Sequence, residues 1–218
     1  SKDIHYIKKF ILAVFCSLFL FHISAVFFRY SRMPEWVTII QGIILFSSLL
    51  YILVWILSES KLLRGHLFCR LMILLTYISR GLIAIINEHY PILPKLGDVS
   101  YYHHLGVDYA RELSVQGNGI GASAFGNYII GNVYFLFGNS PVVISLINAF
   151  IYSMIILVII KMCSELKFSN YWLVALIAGI MPSSFLYIPV MLRESFFLLF
   201  AVLFFYRLVV LYGKESRS

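Results

Sequence analysis

The chain alternates between long apolar runs and polar connections, and six of the runs approach the length of a membrane-spanning helix. A helix that crosses the hydrocarbon of a bilayer needs about 20 mainly apolar residues. The runs cover residues 10–28, 37–57, 67–86, 141–160, 171–189 and 191–211. This pattern predicts an all-α fold, a polytopic transmembrane helix bundle of about six spans that forms a single transmembrane domain over residues 1–218.

The connection between the third and fourth runs, residues 87–140, is much longer than the others. Loops of this length within a compact domain are usually functional or disordered. This one is rich in Tyr, Gly and apolar residues, which is not the composition of a disordered segment. We therefore expect this long loop to fold.

A helical pattern occupies the middle of the long loop, after the proline-containing stretch 88–97. Its residues recur on two faces, one apolar (Tyr102, Leu105, Tyr109 and Leu113) and one polar (His104, Asp108 and Arg111). The spacing predicts an amphipathic helix over residues 98–115 with Asp98 as its N-cap. Such a helix is expected at the membrane interface, with its aromatic face in the headgroup zone. The apolar run 128–137 is too short to span a bilayer and is expected to dip into it or lie flat.

The composition supports a membrane protein, because 61% of the 218 residues are hydrophobic and only 12% are charged. Soluble domains usually contain about 45–50% apolar and about 25% charged residues. The net charge of +7 would suit nucleic acid in a soluble protein. Here most Lys and Arg residues flank the apolar runs, which is typical of topology signals. We therefore expect membrane lipid, and no nucleic acid, as a partner.

The positive-inside rule gives the orientation of the predicted spans. Most of the Lys and Arg residues face the cytoplasm when the N-terminus is placed there. With six spans, both termini are then cytoplasmic and the long loop faces outward. This distribution predicts a multi-pass protein of the plasma membrane, with a bacterial inner membrane as the expected case. The chain begins with Ser, and we expect it to be a piece of a longer protein.

Two arginines near the predicted outer side stand out. Arg80 lies within the third run, where a charged side chain is costly, and snorkelling, a structural pairing or a functional role would each explain it. Arg193 and Glu194 follow Pro182 and Pro189, which interrupt the hairpin between the last two runs. Backbone groups freed by proline must line a cavity or pack on protein. The Arg-Glu pair is therefore either an interface anchor or part of a site.

The long loop adds carboxylates, imidazoles and phenols on the same predicted side. With Arg80 and Arg193, the residues concerned are Glu88, Asp98, Tyr101, His103, His104, Asp108 and Arg111. A carboxylate or imidazole could serve as a general base, or hold a divalent cation together with a phosphate. Arginines suit a phosphate, which they bind through two hydrogen bonds. Taken singly, the acids and histidines also fit an N-cap and a solvated helix face. Taken together, they indicate a lipid-phosphate-linked substrate that is handled from outside.

Two stretches, GDVSYYHHLGVDYA in the long loop and PSSFLYIPVMLRESFFLLF near the last run, resemble polytopic glycosyltransferases of the GT-C type and the related O-antigen and exopolysaccharide polymerases. The resemblance implies sugars carried on polyprenyl phosphate, an outer-loop acid as catalytic base or metal contact, and an arginine that engages the pyrophosphate. Asp98 matches the loop acid and Arg193 the arginine, whereas Arg80 has no firm counterpart. The family commonly has more spans and its acidic loop earlier in the chain. Either the chain continues or a partner membrane protein completes the activity.

We therefore expect a membrane glycosyltransferase or polymerase of surface polysaccharide or glycolipid assembly, with Asp98 and Arg193 as catalytic residues. The predicted substrate-binding residues are Arg80, Glu88, Tyr101, His103, His104, Asp108, Arg111 and Glu194. The pattern predicts no protein-only metal site, and a divalent cation is the candidate cofactor. The alternatives are a transporter or flippase of a lipid-linked or anionic substrate, a non-catalytic membrane subunit, and an acyltransferase with His103 or His104 as its base.

Overall fold

The computed structural model of the protein is mainly helical in the part of the chain that it describes, with short irregular connections. The described residues are 23, 26, 27, 34–94, 97–112, 125–190 and 193–215. In chain order the helices are α1 (Glu35–Glu59), α2 (Leu67–His89), α3 (Gly97–Glu112), α4 (Gly131–Phe137), α5 (Pro141–Glu165), α6 (Tyr171–Ile180), α7 (Pro182–Tyr187) and α8 (Glu194–Glu215). A 3-10 turn, Lys61–Leu63, precedes α2, and a π-helical turn, Phe125–Ile130, precedes α4. No strand occurs among these residues, which confirms the predicted all-α class.

Four of the described helices are long and apolar enough to cross a membrane. They are α1, α2, α5 and, over Glu194–Tyr212, α8. They coincide with the predicted runs 37–57, 67–86, 141–160 and 191–211, so a multi-pass helical membrane protein is supported by length and composition. The first predicted run, 10–28, lies outside the described residues except for positions 23, 26 and 27, which are helical.

The fifth predicted run, 171–189, forms two short helices instead of one continuous helix. The helix α6 has 10 residues and ends where Met181 adopts φ −55° and ψ 117°, outside the helical region. Pro182 then begins α7. The cause is steric, because proline lacks an N–H and pushes the residue before it towards extended backbone. A helix of about 20 residues is needed to cross the hydrocarbon, so α6 alone is too short.

The helices differ strongly in how far protein covers them. In the most apolar stretch of α5, 72% of the residues are buried, whereas the corresponding stretch of α8 has 11% buried. Large side chains such as Phe200 and Phe204 of α8 are exposed. Such a surface is costly in water but carries no penalty against lipid tails. This burial pattern suits a helix that faces lipid.

By its internal contacts the chain divides into two compact units. One unit comprises Ser1–Ser48 and Lys95–Ile144, and the other comprises Leu49–Pro94 and Ser145–Ser218. The first therefore holds α3, the π-helical turn and α4, and the second holds α2 and α6–α8. The predicted site residues are distributed over both units.

In the first unit, α3 packs against the π-helical turn and α4, and we call these three elements the loop module. Two glycines allow the close approach. A Cβ atom at Gly126 would lie 2.8 Å from Cβ of Leu105, and one at Gly131 would lie 2.8 Å from Cβ of Tyr109. Real Cβ atoms do not come this close, so the backbones can approach only because both positions lack a side chain.

The loop module gives the predicted aromatic face of α3 a different partner from the expected one. Tyr102 is only 2% exposed, and its ring meets that of Phe125 edge to face at 5.3 Å between centroids. Tyr109 meets Tyr128 in the same way at 6.1 Å. This face therefore packs largely on protein. The reason is that the run 128–137, expected to dip into the membrane or lie flat, supplies an apolar partner within the same loop.

Candidate functional site

The polar face of α3 lies away from the packed face of the loop module. Tyr101, His104, Asp108 and Arg111 follow one another at intervals of three, four and three residues, which places them on one side of the helix. Tyr101 and His104 are exposed, and Asp108 and Arg111 are half-buried. We call these four residues the polar stripe. It combines a phenol, an imidazole, a carboxylate and a guanidinium over roughly three turns.

Asp98 lies in the first turn of α3 and is exposed. The helix begins at Gly97, one residue earlier than the predicted N-cap, so Asp98 is a helical residue and not the cap itself. The positive end of the helix dipole favours a negative charge at this place. Asp98 therefore presents an exposed carboxylate in the first turn of α3, where it could accept a proton or bind a cation.

Arg111, at the end of the polar stripe, is one of three arginines whose Nε atom is buried without a hydrogen-bond partner among the described residues, with Arg70 and Arg80. A guanidinium offers five N–H donors in a planar fork and has a high affinity for phosphate and carboxylate oxygens. The polar stripe therefore ends in a half-buried guanidinium.

His103 faces the interior of the loop module, in contrast to its neighbour His104. Its Nδ1 lies 2.9 Å from the hydroxyl oxygen of Tyr134, which is 2% exposed, and the two rings meet edge to face. Burial, with a smaller contribution from the nearby His104, lowers the pKa of His103 from 6.5 to about 4. The imidazole is therefore neutral at pH 7, with one ring nitrogen as donor and the other as acceptor.

In the second unit, Arg80 is fully enclosed, with 0% of its side chain exposed. Its Nη2 donates to the carbonyl oxygen of Gly179 at 2.7 Å and to the hydroxyl of Ser184. Its Nη1 donates to the hydroxyl of Ser79 at 3.1 Å and, at 3.4 Å, to the carbonyl of Thr76. The described contacts of Arg80 include no carboxylate. Both Nη atoms of the guanidinium are thus used within the protein, whereas its Nε is buried without a hydrogen-bond partner among the described residues.

The Arg-Glu pair lies at the start of α8. The carbonyl of Arg193 accepts hydrogen bonds from the N–H groups of Phe196 and Phe197 at 3.1 and 3.2 Å, so Arg193 occupies the N-cap position. Its guanidinium carbon is 5.9 Å from the ring centroid of Phe197, near the outer limit of a cation–π contact. Arg193 is half-buried, and Glu194 and Glu88 are exposed. The guanidinium therefore lies at the start of α8 and is partly accessible.

The structure groups some of the predicted residues and separates others. The polar stripe and Asp98 share α3, whereas Arg80, Glu88, Arg193 and Glu194 belong to the second unit. Within the described ranges no three His, Cys, Asp or Glu side chains form a group that could hold a metal ion. A divalent cation, if used, would therefore need oxygens from a phosphate as well as from the protein.

The sequence prediction does not include several polar residues that form hydrogen bonds in the structure, notably Tyr134, Asn148, Tyr152 and Ser184. A usable signal exists for two of them. Asn148 and Tyr152 are four residues apart in the highly apolar α5, so they share one face of a helix with few other polar side chains. Polar residues inside a membrane-spanning helix almost always have a partner within the protein. Tyr134 and Ser184 give no comparable signal.

Comparisons of this chain with protein-family models, with curated proteins and with solved structures found no match. The resemblance to polytopic glycosyltransferases therefore rests on the two quoted stretches, and the function rests on the residues and their geometry.

Proposed function

We propose that this protein is a membrane glycosyltransferase or polysaccharide polymerase that uses a polyprenyl-phosphate-linked sugar at the outer face of the membrane. The observation that supports the proposal is the polar stripe of α3. The stripe places a phenol, an imidazole, a carboxylate and a guanidinium on one face of α3. The other face of this helix packs inside the loop module. Both termini are cytoplasmic in this proposal, and six spans place the loop module outside.

The reaction would be a direct displacement at the anomeric carbon of the donor sugar. An acceptor hydroxyl loses its proton to a carboxylate, for which Asp98 and Asp108 are the candidates. The acceptor oxygen forms the new glycosidic bond while the bond between the anomeric carbon and the phosphate oxygen breaks. The electron pair leaves with the lipid phosphate, whose charge an arginine would stabilise. Arg111 shares α3 with both carboxylates, and Arg193 is the arginine that the resemblance implies for this role. No cofactor is needed for this electron balance.

Each class of side chain in the polar stripe has a role in this proposal. Tyr101 offers an exposed aromatic ring against which the apolar face of a sugar can lie. His104, which is also exposed, can donate and accept hydrogen bonds with sugar hydroxyls. Arg111 is half-buried, and a guanidinium suits a phosphate oxygen. His103 supports this surface from inside through its bond to Tyr134.

The test is complementation in a deletion strain of the organism that carries the gene, with the full native gene and with its variants. We expect Asp98→Asn, Asp108→Asn or Arg193→Ala to shorten or abolish the surface polysaccharide on a gel. Loss of a general base usually costs a factor of about 10²–10⁴ in rate. Glu59→Gln is the matched control, because Glu59 is an exposed carboxylate at the C-terminal end of α1 and does not belong to the proposed site.

Membrane levels measured by blot must be equal for all of these variants. The proposal is wrong if both carboxylate variants and Arg193→Ala accumulate normally and produce polymer of normal length. A non-catalytic membrane subunit would then be the better description.

A transporter or flippase of a lipid-linked anion is the second candidate, and one observation favours it. The segment formed by α6 and α7 is a broken helix beside the fully buried Arg80. Broken helices and intramembrane charge are typical of transport sites. Purified protein in proteoliposomes separates the two candidates. A transferase consumes the lipid-linked donor, whereas a flippase moves it between leaflets without changing it.

A further inference from the structure

The break between α6 and α7 frees two backbone carbonyls. In a continuous helix the N–H of residue 182 would donate to the carbonyl of Ala178, and the N–H of residue 183 to that of Gly179. Pro182 has no N–H, and Met181 leaves the helical region. In a membrane-spanning region such groups must find partners inside the protein, because the hydrocarbon offers none.

Side chains of α2 and α5 supply these partners. The hydroxyl of Tyr152 donates to the carbonyl of Ala178 at 2.9 Å, and Nη2 of Arg80 donates to the carbonyl of Gly179 at 2.7 Å. Further along, Nδ2 of Asn148 donates to the carbonyl of Val190 at 2.8 Å. Each side chain therefore binds the broken segment, 178–190, at its backbone.

Ser184 ties the first turn of α7 to the same set of groups. Its hydroxyl accepts a hydrogen bond from Nη2 of Arg80 and donates to the carbonyl of Met181 at 2.6 Å. The ring of Phe185 then covers the guanidinium, whose carbon is 4.0 Å from the ring centroid. Backbone, hydroxyl and aromatic contacts thus converge on one side chain from both sides of the helix break.

The geometry points to a polar clasp, formed by Arg80, Tyr152 and Asn148, that holds the broken segment in place. We infer that Arg80 is a positioning residue and that it does not contact the substrate. The broken segment leads into Arg193, so the clasp sets the place from which Arg193 can reach a leaving phosphate. That last step rests on the proposed function, whereas the clasp itself does not.

The test measures backbone hydrogen exchange of the full-length protein in lipid nanodiscs by mass spectrometry. We compare wild type with Arg80→Gln, Tyr152→Phe and Ser184→Ala, and follow peptides that cover residues 178–190. Loss of a hydrogen bond to a charged group should raise the exchange of this segment by about tenfold in Arg80→Gln, and less in the other two variants. Peptides from the loop module serve as an internal reference and should not change.

Ser153→Ala is the matched control. Ser153 is a buried hydroxyl on the same helix as Tyr152, but it donates only to the carbonyl of Ala149 in its own helix, at 3.0 Å. Its loss should leave the exchange of 178–190 unchanged. If Arg80→Gln does not fold, the two nearly isosteric variants, Tyr152→Phe and Ser184→Ala, carry the test alone. Unchanged exchange in both of them would overturn the clasp.

Two further variants separate the clasp from substrate binding. Arg80→Lys keeps the charge but cannot reach both Gly179 and Ser184 with one planar fork, so the clasp predicts raised exchange. Arg80→Gln combined with Ser184→Ala should raise exchange by less than the product of the single effects, because both remove the same contact. Independent effects would contradict the shared contact.

The surface polymer provides a second readout for the same variants. Raised exchange together with a shortened polymer supports both the clasp and its link to Arg193. Raised exchange with a normal polymer supports the clasp and contradicts the role of Arg193. Shortened polymer with unchanged exchange contradicts the clasp and returns Arg80 to the substrate site.

Discussion

The loop module and the broken segment use their polar residues in opposite ways. In the loop module the polar stripe lies on the outward face of α3, while aromatic rings and glycines make the internal contacts. At the broken segment, Arg80, Tyr152 and Asn148 donate to backbone carbonyls, and apolar side chains of the segment such as Ile180 and Leu186 are exposed. The role of a polar residue in this chain therefore depends on whether the backbone beside it needs a hydrogen-bond partner.

The physical origin of the difference is the state of the main chain. A regular helix satisfies its own N–H and C=O groups, so the side chains of the polar stripe are not needed to satisfy the backbone of α3. A helix broken by Pro182 leaves carbonyls without donors, and nearby side chains are consumed in satisfying them. The contrast predicts large stability effects at the inward residues and small ones at the outward residues.

The largest effect is expected for Arg80→Ala. Removing the guanidinium leaves the carbonyl of Gly179 and the hydroxyl of Ser184 without their donor and opens a cavity in a fully enclosed place. We expect the free energy of unfolding, measured in mixed detergent micelles, to fall by about 3–5 kcal/mol. Arg64→Ala is the control, since Arg64 is exposed and should change stability by less than about 0.5 kcal/mol. An equal loss of unfolding free energy in Arg80→Ala and Arg64→Ala would contradict the distinction between buried and exposed arginines.

A somewhat smaller effect is expected for Gly131→Val in the loop module. Its Cβ would lie 2.8 Å from Cβ of Tyr109, an atom that cannot swing aside, so α3 and α4 must separate. We expect a loss of about 3 kcal/mol in the stability of the module, read from its hydrogen exchange or protease resistance. Leu136→Ala, at an exposed position of α4, is the control. Tyr109→Gly, which removes this Cβ atom, should partly rescue the glycine variant, and a lack of rescue would mean that the strain arises from another contact.

The third effect is a pH dependence of the loop module that comes from His103. Burial lowers the pKa of His103 from 6.5 to about 4, so the unfolded chain takes up a proton at a higher pH than the folded one does. Its contribution to stability is complete above pH about 6.5, decreases as the pH falls towards 4, and is constant below that. We expect about 1–2 kcal/mol, because the ring is only partly enclosed. Unfolding of wild type and His103→Gln at several pH values tests this, and an equal pH slope in both would contradict it.

The sequence predicts the four long helices well, since about 20 apolar residues in a row leave few structural choices. It also places the break near Pro182, because proline acts through the backbone alone. It does not predict that Arg80 binds Gly179 and Ser184, since that contact joins residues about a hundred positions apart. The sequence also does not predict what covers the aromatic face of α3. Helical spacing reveals that a face is apolar, but not whether lipid or the run 128–137 covers it.

The smallest effect on stability should come from the polar stripe, and this outcome separates binding from folding. The outward face of α3 loses a side chain in Tyr101→Ala and His104→Ala and a carboxylate in Asp108→Asn. Its packed face stays intact in all three variants. We expect each to change the free energy of unfolding by less than about 0.5 kcal/mol. If the proposed function holds, Asp108→Asn nevertheless shortens the surface polymer at normal membrane levels. An inward residue such as Tyr134 cannot show this combination, since Tyr134→Ala would lower stability and activity together. If the variants of the polar stripe lower stability as much as Tyr134→Ala does, the stripe is part of the packed interior. The contrast in how the loop module and the broken segment use their polar residues would then be wrong.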